Sequence, residues 1–233
     1  MKFLWSRVIN RLTVPITRAC NRACPECTNR ERDGIYGNGE RNPHMSYDEI
    51  VWVGKNIGKI GRVEITGGEP TVHPDFQKIT VSLRDIFQSD DIMLVTNGYI
   101  FEDDDKLPLL LKYNRIYLTD YTQKFADKYG TPSNTEVCDK ICDYLEGHKE
   151  VRVWRQRMDE HLELKDDVPN ATTCRNGHDR GDMIGYHRGQ LYGCCIAWGL
   201  DYPGKGIVLA KDWRDRLCEM ELPCNKCFLG VAQ

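Results

Sequence analysis

Three cysteines near the amino terminus are close enough in sequence to bind a single metal cluster. Cys20, Cys24 and Cys27 form a C-x3-C-x2-C run. Thiolates are the ligands of iron–sulfur clusters, and three of them on a short loop can hold three corners of a cubane. The iron at the fourth corner then lacks a protein ligand and is open to an exogenous chelator. A zinc site completed elsewhere in the chain and a chance grouping of cysteines are the alternatives.

A second group of cysteines lies in the last 60 residues of a chain that contains 11 cysteines in all. The group consists of Cys174, Cys194, Cys195, Cys218, Cys224 and Cys227. Four of these thiolates can form an iron–sulfur site or a structural zinc site, and spacing alone does not decide between the two. Tight clusters without a visible export signal indicate metal or redox chemistry in a reducing compartment rather than disulfide bonds.

Charge and hydropathy exclude several classes of partner. The net charge is −3 and acidic and basic residues are interspersed, so neither nucleic acid nor a lipid surface is expected to bind. No apolar run approaches the roughly 20 residues that cross a membrane. The segment Met1–Leu12 is interrupted by Arg7 and Arg11 and lacks the apolar centre of a signal peptide. These features predict a cytoplasmic protein that does not enter the membrane.

Strands and helices alternate through the first 160 residues. Strands are predicted at 12–17, 63–66, 92–96, 115–118 and 151–154. Helices are predicted from 46 to Gly58 or Gly61, and at 75–87, 106–112 and 134–146. The first helix has Ser46 as its N-cap and Glu49 three residues later, which is a capping box. This alternation predicts an α/β fold with a parallel sheet. Five βα units are fewer than the eight of a closed barrel, so we expect a partial (β/α)6-type open TIM barrel.

The pattern changes after residue 160. Helical periodicity ends, residues 183–195 have the pattern of a hairpin that turns at Arg188-Gly189, and a short helix is predicted at 212–220. We therefore divide the chain into a barrel domain at 1–160 and a small module at 161–233. Because roughly 70 loop-rich residues bury little core, this module is expected to fold around a metal.

Four candidate motifs directly follow predicted strands. They are the cysteine loop, the run Gly67-Gly68-Glu69-Pro70, the pair Asn97-Gly98, and Asp120. Because the carboxyl ends of parallel strands meet at one rim, where ligands bind in such folds, we expect these motifs to form one site. The two glycines of the second motif would let the backbone approach a ligand closely. Its carboxylate would offer an anionic acceptor to an ammonium group.

The cysteine run after the first strand and the GGEP run after the second resemble the signature of the radical S-adenosylmethionine (SAM) superfamily. The resemblance implies that Cys20, Cys24 and Cys27 hold a [4Fe–4S] cluster whose open iron chelates SAM. It implies that Gly67–Pro70 binds the methionine amino group of SAM. The implied reaction is reductive cleavage of SAM to a 5′-deoxyadenosyl radical, which abstracts a substrate hydrogen. A flavodoxin or ferredoxin is the implied reductant.

Other positions around the implied SAM pocket have two interpretations each. Asn97 resembles the TNG motif of several subfamilies, and either faces SAM or only forms a turn. Thr119 and Asp120 are the candidates for the ribose-binding position of the family at the end of the fourth strand, and Asp120 either accepts hydrogen bonds from ribose hydroxyls or caps a loop. Arg155 either binds the SAM carboxylate or a substrate hydroxyl, or is a surface charge. Glu26 departs from the family pattern, because the residue before the third cysteine is commonly aromatic and stacks near the adenine.

The C-terminal module resembles the Twitch domain, a shortened SPASM domain that holds an auxiliary [4Fe–4S] cluster. The resemblance implies Cys174, Cys194, Cys224 and Cys227 as its ligands, with Cys195 as the alternative to Cys194. Four protein ligands leave no open iron. Such a cluster would accept an electron from a substrate radical rather than bind the substrate.

Size and architecture resemble the diol dehydrogenases of aminoglycoside biosynthesis. We therefore expect an oxidoreductase that removes two electrons from a small polyol or amino-sugar-like metabolite. Radical modification of a peptide, by crosslink, thioether or epimerisation, is one alternative, with Cys195 as the thiol of an epimerase. A non-enzymatic iron–sulfur or zinc protein is another, but an electron carrier has no use for a SAM-amine site. Cys138 and Cys142, four residues apart on one helix, are expected to be small apolar residues of the core.

Anaerobic reconstitution tests the cofactor assignment. We expect about eight irons per chain, four for each cluster, and formation of 5′-deoxyadenosine when the protein is reduced with SAM. Replacing Cys20, Cys24 and Cys27 by Ala should abolish SAM cleavage. Bound zinc without SAM cleavage would contradict the assignment.

Overall fold

The computed structural model describes residues 10–22, 24, 27, 43–160, 183–193 and 206–216. Eight strands and four α-helices are numbered in chain order. They are β1 (Arg11–Thr17), α1 (Tyr47–Ile57), β2 (Arg62–Gly67), α2 (Phe76–Ile86), β3 (Asp91–Thr96), β4 (Arg115–Tyr121), α3 (Gln123–Tyr129), α4 (Thr135–Glu146), β5 (Arg152–Met158), β6 (Met183–His187), β7 (Gln190–Tyr192) and β8 (Ile207–Val208).

The eight strands form one sheet in the order β5-β4-β3-β2-β1-β6-β7-β8. Strands β1 to β5 are parallel neighbours in sequence order, and β6 is parallel to β1 on its other side. The short strands β7 and β8 continue from β6 in antiparallel pairing. In the described residues β5 and β8 are the two edges, so the sheet is not closed. The predicted α/β fold with an open, parallel barrel sheet is confirmed.

The predicted hairpin at 183–195 is present as β6 and β7, but β6 also joins the barrel sheet. Its pairing with β1 starts at Arg11↔Met183 and continues to Thr13↔Gly185. The segment that sequence reasoning assigned to the second module therefore supplies the sixth parallel strand. The division of the chain at residue 160 stays a prediction, because residues 161–182 and 217–233 lie outside the described residues.

Two helical segments differ from the sequence-based expectation. Residues 104–112 form a 3-10 helix with Pro108 inside it, because proline lacks the N–H that an α-helix needs. Helix α3 was not predicted. It begins after Thr122, whose side chain accepts a hydrogen bond from the Phe125 N–H, and it ends at Gly130 in the left-handed conformation. Only residues 212–216 of the helix predicted at 212–220 are described, and they form a turn at 212–214 followed by 3-10 helix at 215–216.

The core lies between the sheet and the helices. The central strands bury Val14, Ile65 and Leu94 completely, and α2 covers them with the apolar side that carries Ile79 and Leu83. Most of the residues along β1, β2 and β3 are buried, as expected for parallel strands that are covered on both faces. No helix in the described part of the chain is long and apolar enough to span a membrane.

One carboxylate joins three strands at the end of the sheet opposite to the cysteine loop. Asp91, the first residue of β3, accepts hydrogen bonds from Arg62 Nε (2.8 Å) on β2 and from Arg115 Nε (2.6 Å) on β4. Burial alone would raise the pKa of Asp91, but the hydrogen bonds and charges of the two arginines outweigh it and lower this pKa. The ionised form of Asp91 therefore stabilises the native sheet.

Replacing Asp91 with Asn is expected to lower the free energy of unfolding by about 1–2 kcal/mol near neutral pH, since two charge-assisted hydrogen bonds are weakened. A lowered carboxyl pKa gives stability that is present above the unfolded-state pKa and is lost as pH falls through the folded-state pKa. The difference between D91N and the native protein should therefore shrink below about pH 4. Urea unfolding across pH measures it.

The control is Asp90→Asn at the neighbouring exposed carboxylate, which should leave the pH profile of stability unchanged. An equal loss in both variants would refute the role of the Asp91 ion pairs.

Candidate functional site

A cavity lies at the carboxyl ends of β1 to β4 and brings most of the predicted motifs together. It is lined by Cys20, Arg22, Cys24, Cys27, Thr66, Gly67, Gly68, Glu69, Val95, Thr96, Asn97, Thr119 and Tyr121. The three thiols of the C-x3-C-x2-C run thus share one cavity with three residues of the GGEP run. Pro70, the fourth residue of that run, is buried and begins a short 3-10 helix.

Backbone hydrogen bonds hold the cysteine loop against the GGEP run. The Gly68 N–H donates to the Thr17 carbonyl (2.8 Å), and the Glu69 N–H donates to the Ala19 carbonyl (2.9 Å). This approach requires glycine. A Cβ on Gly67 would lie 2.2 Å from the Thr17 carbonyl oxygen, and one on Gly68 would lie 2.3 Å from the Ala19 carbonyl oxygen. The glycines therefore let the two loops pack together. From the sequence, we expected them to allow close approach of the backbone to a ligand.

The three thiols fit a metal cluster by their chemistry. Burial raises the pKa of Cys20 to about 12, and the charges of Glu69, Cys27 and Cys24 add to the shift. Bound metal would favour the thiolates, because a coordinating thiol loses its proton. No three His, Cys, Asp or Glu side chains of the described residues converge as a site for one metal ion. A cubane has no need of such convergence, since each thiolate binds a different iron.

Glu69 is buried at the floor of the cavity, with 1% of its surface exposed. Its Oε1 accepts hydrogen bonds from the Thr71 N–H (3.1 Å), the Thr71 hydroxyl (2.7 Å) and the Thr96 hydroxyl (2.6 Å). Its Oε2 accepts one from the Asn97 N–H (2.7 Å). Burial raises the pKa of Glu69, although these hydrogen bonds oppose the shift. Glu69 therefore fastens the end of β3 to the end of β2, and Oε2 keeps a second lone pair among these donors.

Asn97 forms the turn that the sequence offered as one of its two roles, and it also lines the cavity, while its contact with SAM stays a prediction. Its Oδ1 accepts a hydrogen bond from the Tyr99 N–H (3.1 Å), which forms the turn after β3. Its Nδ2 donates to Asn21 Oδ1 (2.8 Å) in the cysteine loop, and the residue lines the cavity. Thr96 supports the same turn, because its hydroxyl accepts from the Gly98 N–H (2.9 Å) while it donates to Glu69.

Asp120 and Arg155 bind each other and do not line the cavity. The fully buried Asp120 carboxylate accepts hydrogen bonds from Arg155 Nε (2.9 Å) and from the Thr135 hydroxyl (2.7 Å). Arg155 Nη1 also donates to Asp139 Oδ1 (2.5 Å). Alternation along β4 explains this position, since Asp120 is on the same buried face as Leu118. The cofactor-binding roles of Asp120 and Arg155 stay predictions, without support from these contacts.

Tyr121 and Arg22 are among the cavity residues that sequence reasoning did not single out. Tyr121, the last residue of β4, lines the wall next to Thr119. Arg22 lies between the first two cysteines, with its guanidinium carbon 4.0 Å from the centre of the Tyr121 ring. Strand alternation could have identified Tyr121, because it follows Thr119 by two residues. A charged residue inside the cysteine run was the available signal for Arg22.

The helix cysteines have the expected core position. Cys138 is completely buried, and Cys142 is partly buried and packs against the core. Burial raises the pKa of Cys138 to about 12, so its thiol stays protonated. Glu26 and the second cysteine group (Cys174, Cys194, Cys195, Cys218, Cys224 and Cys227) lie outside the described residues.

Residues 14–145 match the family model described as "Radical SAM superfamily". The chain belongs to this superfamily. Membership implies a radical SAM enzyme with a [4Fe–4S] cluster and SAM, which agrees with the thiol-lined cavity. The superfamily match covers β1 to α4, the part of the chain that forms most of this site.

Two curated relatives match less than half of the chain. The chain is 32% identical over 108 residues to GTP 3′,8-cyclase of Clostridium perfringens strain SM101, which covers 46% of this chain and 32% of the relative. It is 34% identical over 105 residues to the probable GTP 3′,8-cyclase of Methanocaldococcus jannaschii, which covers 44% and 33%. The chain thus spans about a third of the length of these radical SAM relatives.

One solved structure shares the fold over nearly the whole length of both chains. BtrN in complex with AdoMet and 2-DOIA aligns with a TM-score of 0.58 over 94% of this chain and 89% of that chain. The sequence identity is 16%, so the likeness is one of fold. It agrees with an open radical SAM barrel.

Replacing Glu69 with Gln tests whether this carboxylate anchors the rim. The NH2 group of a Gln side chain is a donor and cannot accept a hydrogen bond. It would face either the Asn97 N–H or the three donors that bind Oε1, so at least one hydrogen bond is lost. We expect the free energy of unfolding without SAM to fall by about 1–3 kcal/mol, together with weaker SAM binding. Urea unfolding and anaerobic titration with SAM measure the two effects.

A carboxylate that served only to attract the SAM ammonium would give the opposite stability result. Removal of a buried charge would then leave the SAM-free protein as stable as before or more stable. Gln123→Glu on the exposed side of α3 is the matched control, because it exchanges the same two types of side chain, Gln and Glu, at an exposed position.

Proposed function

We propose that this radical SAM enzyme is an oxidoreductase that removes two electrons from a small polyol or amino-sugar-like metabolite. The observation that supports the proposal is the extent of the likeness to BtrN, a diol dehydrogenase. That likeness covers 94% of one chain and 89% of the other, whereas the curated cyclases match less than half of this chain. A chain with the size and fold of a diol dehydrogenase has room for the same kind of substrate.

The cofactors would supply the radical, and the protein would position them. When bound, the cluster would supply the electron for cleavage of SAM to methionine and a 5′-deoxyadenosyl radical, which would abstract a substrate hydrogen. Cys20, Cys24 and Cys27 would hold the cluster at the cavity wall. The acceptors at the end of β2, Glu69 among them, would receive the SAM ammonium. Tyr121 and Thr119 would form the part of the cavity wall at the end of β4.

The electron count requires a second acceptor. Hydrogen abstraction removes one electron from the substrate, and conversion of the resulting hydroxyalkyl radical to a ketone releases one more electron and the hydroxyl proton. We propose that Cys174, Cys194, Cys224 and Cys227 hold an auxiliary [4Fe–4S] cluster that takes this electron. Cys195 is the alternative to Cys194. The module at 161–233 would then be Twitch-like, with a flavodoxin or ferredoxin as the external reductant.

Cyclisation of a purine nucleotide is the second candidate function. It is favoured by the curated relatives, which are GTP 3′,8-cyclases with 32% and 34% identity over the matched stretches. Those stretches cover about a third of each relative, and they support the shared radical chemistry more strongly than a shared substrate. The two candidates need different substrates and are separated by one assay.

The auxiliary cluster is tested by replacing Cys224 and Cys227 with Ala. Iron should fall from about eight to about four per chain, SAM cleavage should persist, and ketone formation should be lost because the second electron has no acceptor. Iron analysis, 5′-deoxyadenosine and product are measured in the same anaerobic reaction. Cys142→Ala, a cysteine change on α4 away from the cavity, is the control and should keep both activities.

The substrate class is tested with deuterated polyols and amino sugars and with GTP. Transfer of deuterium from a carbinol carbon into 5′-deoxyadenosine, with an equivalent of ketone, would support the oxidoreductase. Deuterium transfer from labelled GTP alone would overturn it in favour of the cyclase. Full ketone formation in the Cys224 and Cys227 variant would overturn the role of the auxiliary cluster.

A further inference from the structure

Arg22 is a buried cation in the wall of the cavity. It lies between Cys20 and Cys24 in the cysteine run, and only 8% of its surface is exposed. It lines the same cavity as the three thiols and Glu69. Arginine is rarely buried to this degree without an anionic partner. Its position therefore requires a physical explanation.

Among the described residues, hydrogen-bond acceptors hold only one end of the guanidinium. Nη2 donates hydrogen bonds to the Thr131 hydroxyl (3.0 Å) and to the Pro132 carbonyl (2.6 Å). The guanidinium lies over the Tyr121 ring at 4.0 Å, and that ring packs against Phe125 with 4.7 Å between centroids. These contacts fix the orientation of the arginine, but they contribute no negative charge.

The remaining donors of this side chain lack acceptors. Arg22 Nε and Nη1 are buried and have no hydrogen-bond partner among the described residues. A buried ionic donor without an acceptor is costly, and the cost is recovered when an anion binds. A guanidinium held rigidly beside an open cavity is therefore prepared for a carboxylate or phosphate.

The charge pattern of the cavity identifies the anion. Acceptors lie at the end of β2, where Glu69 and the backbone would receive an ammonium group. The cation Arg22 belongs to the cysteine loop, lies over the Tyr121 ring at the end of β4 and lines the same cavity as Glu69. The amino-acid end of SAM carries one ammonium and one carboxylate, and so matches both signs. We propose that Arg22 binds the carboxylate of the methionine moiety of SAM.

This inference assigns to Arg22 the role that the sequence offered to Arg155. Arg155 donates to both Asp120 and Asp139, so its charge is already balanced outside the cavity. The inference depends on SAM as the ligand of the cavity, which family membership supports, and not on the proposed oxidation of a polyol.

The experiment compares SAM with decarboxylated SAM, which keeps the sulfonium, the amine and the nucleoside. Dissociation constants are measured anaerobically by calorimetry on the reconstituted, unreduced enzyme, so that no turnover is needed. Arg22→Met should weaken SAM binding roughly tenfold to a hundredfold, the range for loss of a charged hydrogen-bond partner. It should change the affinity for decarboxylated SAM by less than about twofold. Arg22→Lys keeps the positive charge but loses the forked guanidinium, so its affinity for SAM should lie between those of the native protein and Arg22→Met.

Controls separate this role from others. Arg157→Met removes an exposed arginine from the end of β5 and should leave both affinities unchanged. Iron content and thermal unfolding confirm that each variant is folded and loaded. Equal weakening of SAM and decarboxylated SAM in Arg22→Met would overturn the proposal, because the arginine would then only shape the wall.

Two further outcomes would also overturn the proposal. If SAM affinity is unchanged and the midpoint potential of the SAM-free cluster falls, Arg22 balances the charge of the cluster instead. If SAM affinity is unchanged and a substrate carrying a carboxylate or phosphate binds more weakly, the anion belongs to the substrate. A loss of affinity for SAM but not for decarboxylated SAM supports the SAM carboxylate as the anion that Arg22 binds.

Discussion

The hydrogen bonds between the loop after β1 and the turn after β2 are the constraint on which the site depends. Gly68 and Glu69 donate to carbonyls of the cysteine loop, and the absence of a Cβ at Gly67 and Gly68 allows this contact. Glu69 is thereby held where it accepts from Thr96 and Asn97. Three successive strand ends are thus connected around one buried carboxylate, and the thiols take their positions from this frame.

The position of this frame could be predicted from sequence because it follows from strand order. Parallel strands bring the residues after β1, β2 and β3 to one rim whatever the details of packing. The direction of each side chain could not be obtained in the same way. Thr119 and Asp120 were both candidates at the end of β4, but strand alternation puts Asp120 on the buried face with Leu118, while Thr119 and Tyr121 reach the cavity. Arg155 forms an ion pair with Asp120 and so does not line the cavity either.

Long-range contacts between loops were also outside the reach of sequence reasoning. Arg22 is positioned by Thr131, Pro132 and Tyr121, which are about a hundred residues away in the chain and leave no local pattern. The pairing of β6 with β1 is a similar case, because a hairpin signal gives no information about which strand it joins. The similarity to known proteins is of two kinds. The superfamily model matches residues 14–145, whereas the likeness to BtrN, at 16% identity, is one of fold.

The pairing of β6 with β1 also determines how late in synthesis β1 gains its second neighbour. Strand β1 is synthesised first, yet its second neighbour begins only at Met183. Until that segment leaves the ribosome, the strand that carries the cysteine loop is an exposed edge, a template for wrong pairing. Contacts between such distant parts of a chain also slow folding. The loop that receives the cluster is therefore attached to a strand whose environment is completed late in biosynthesis.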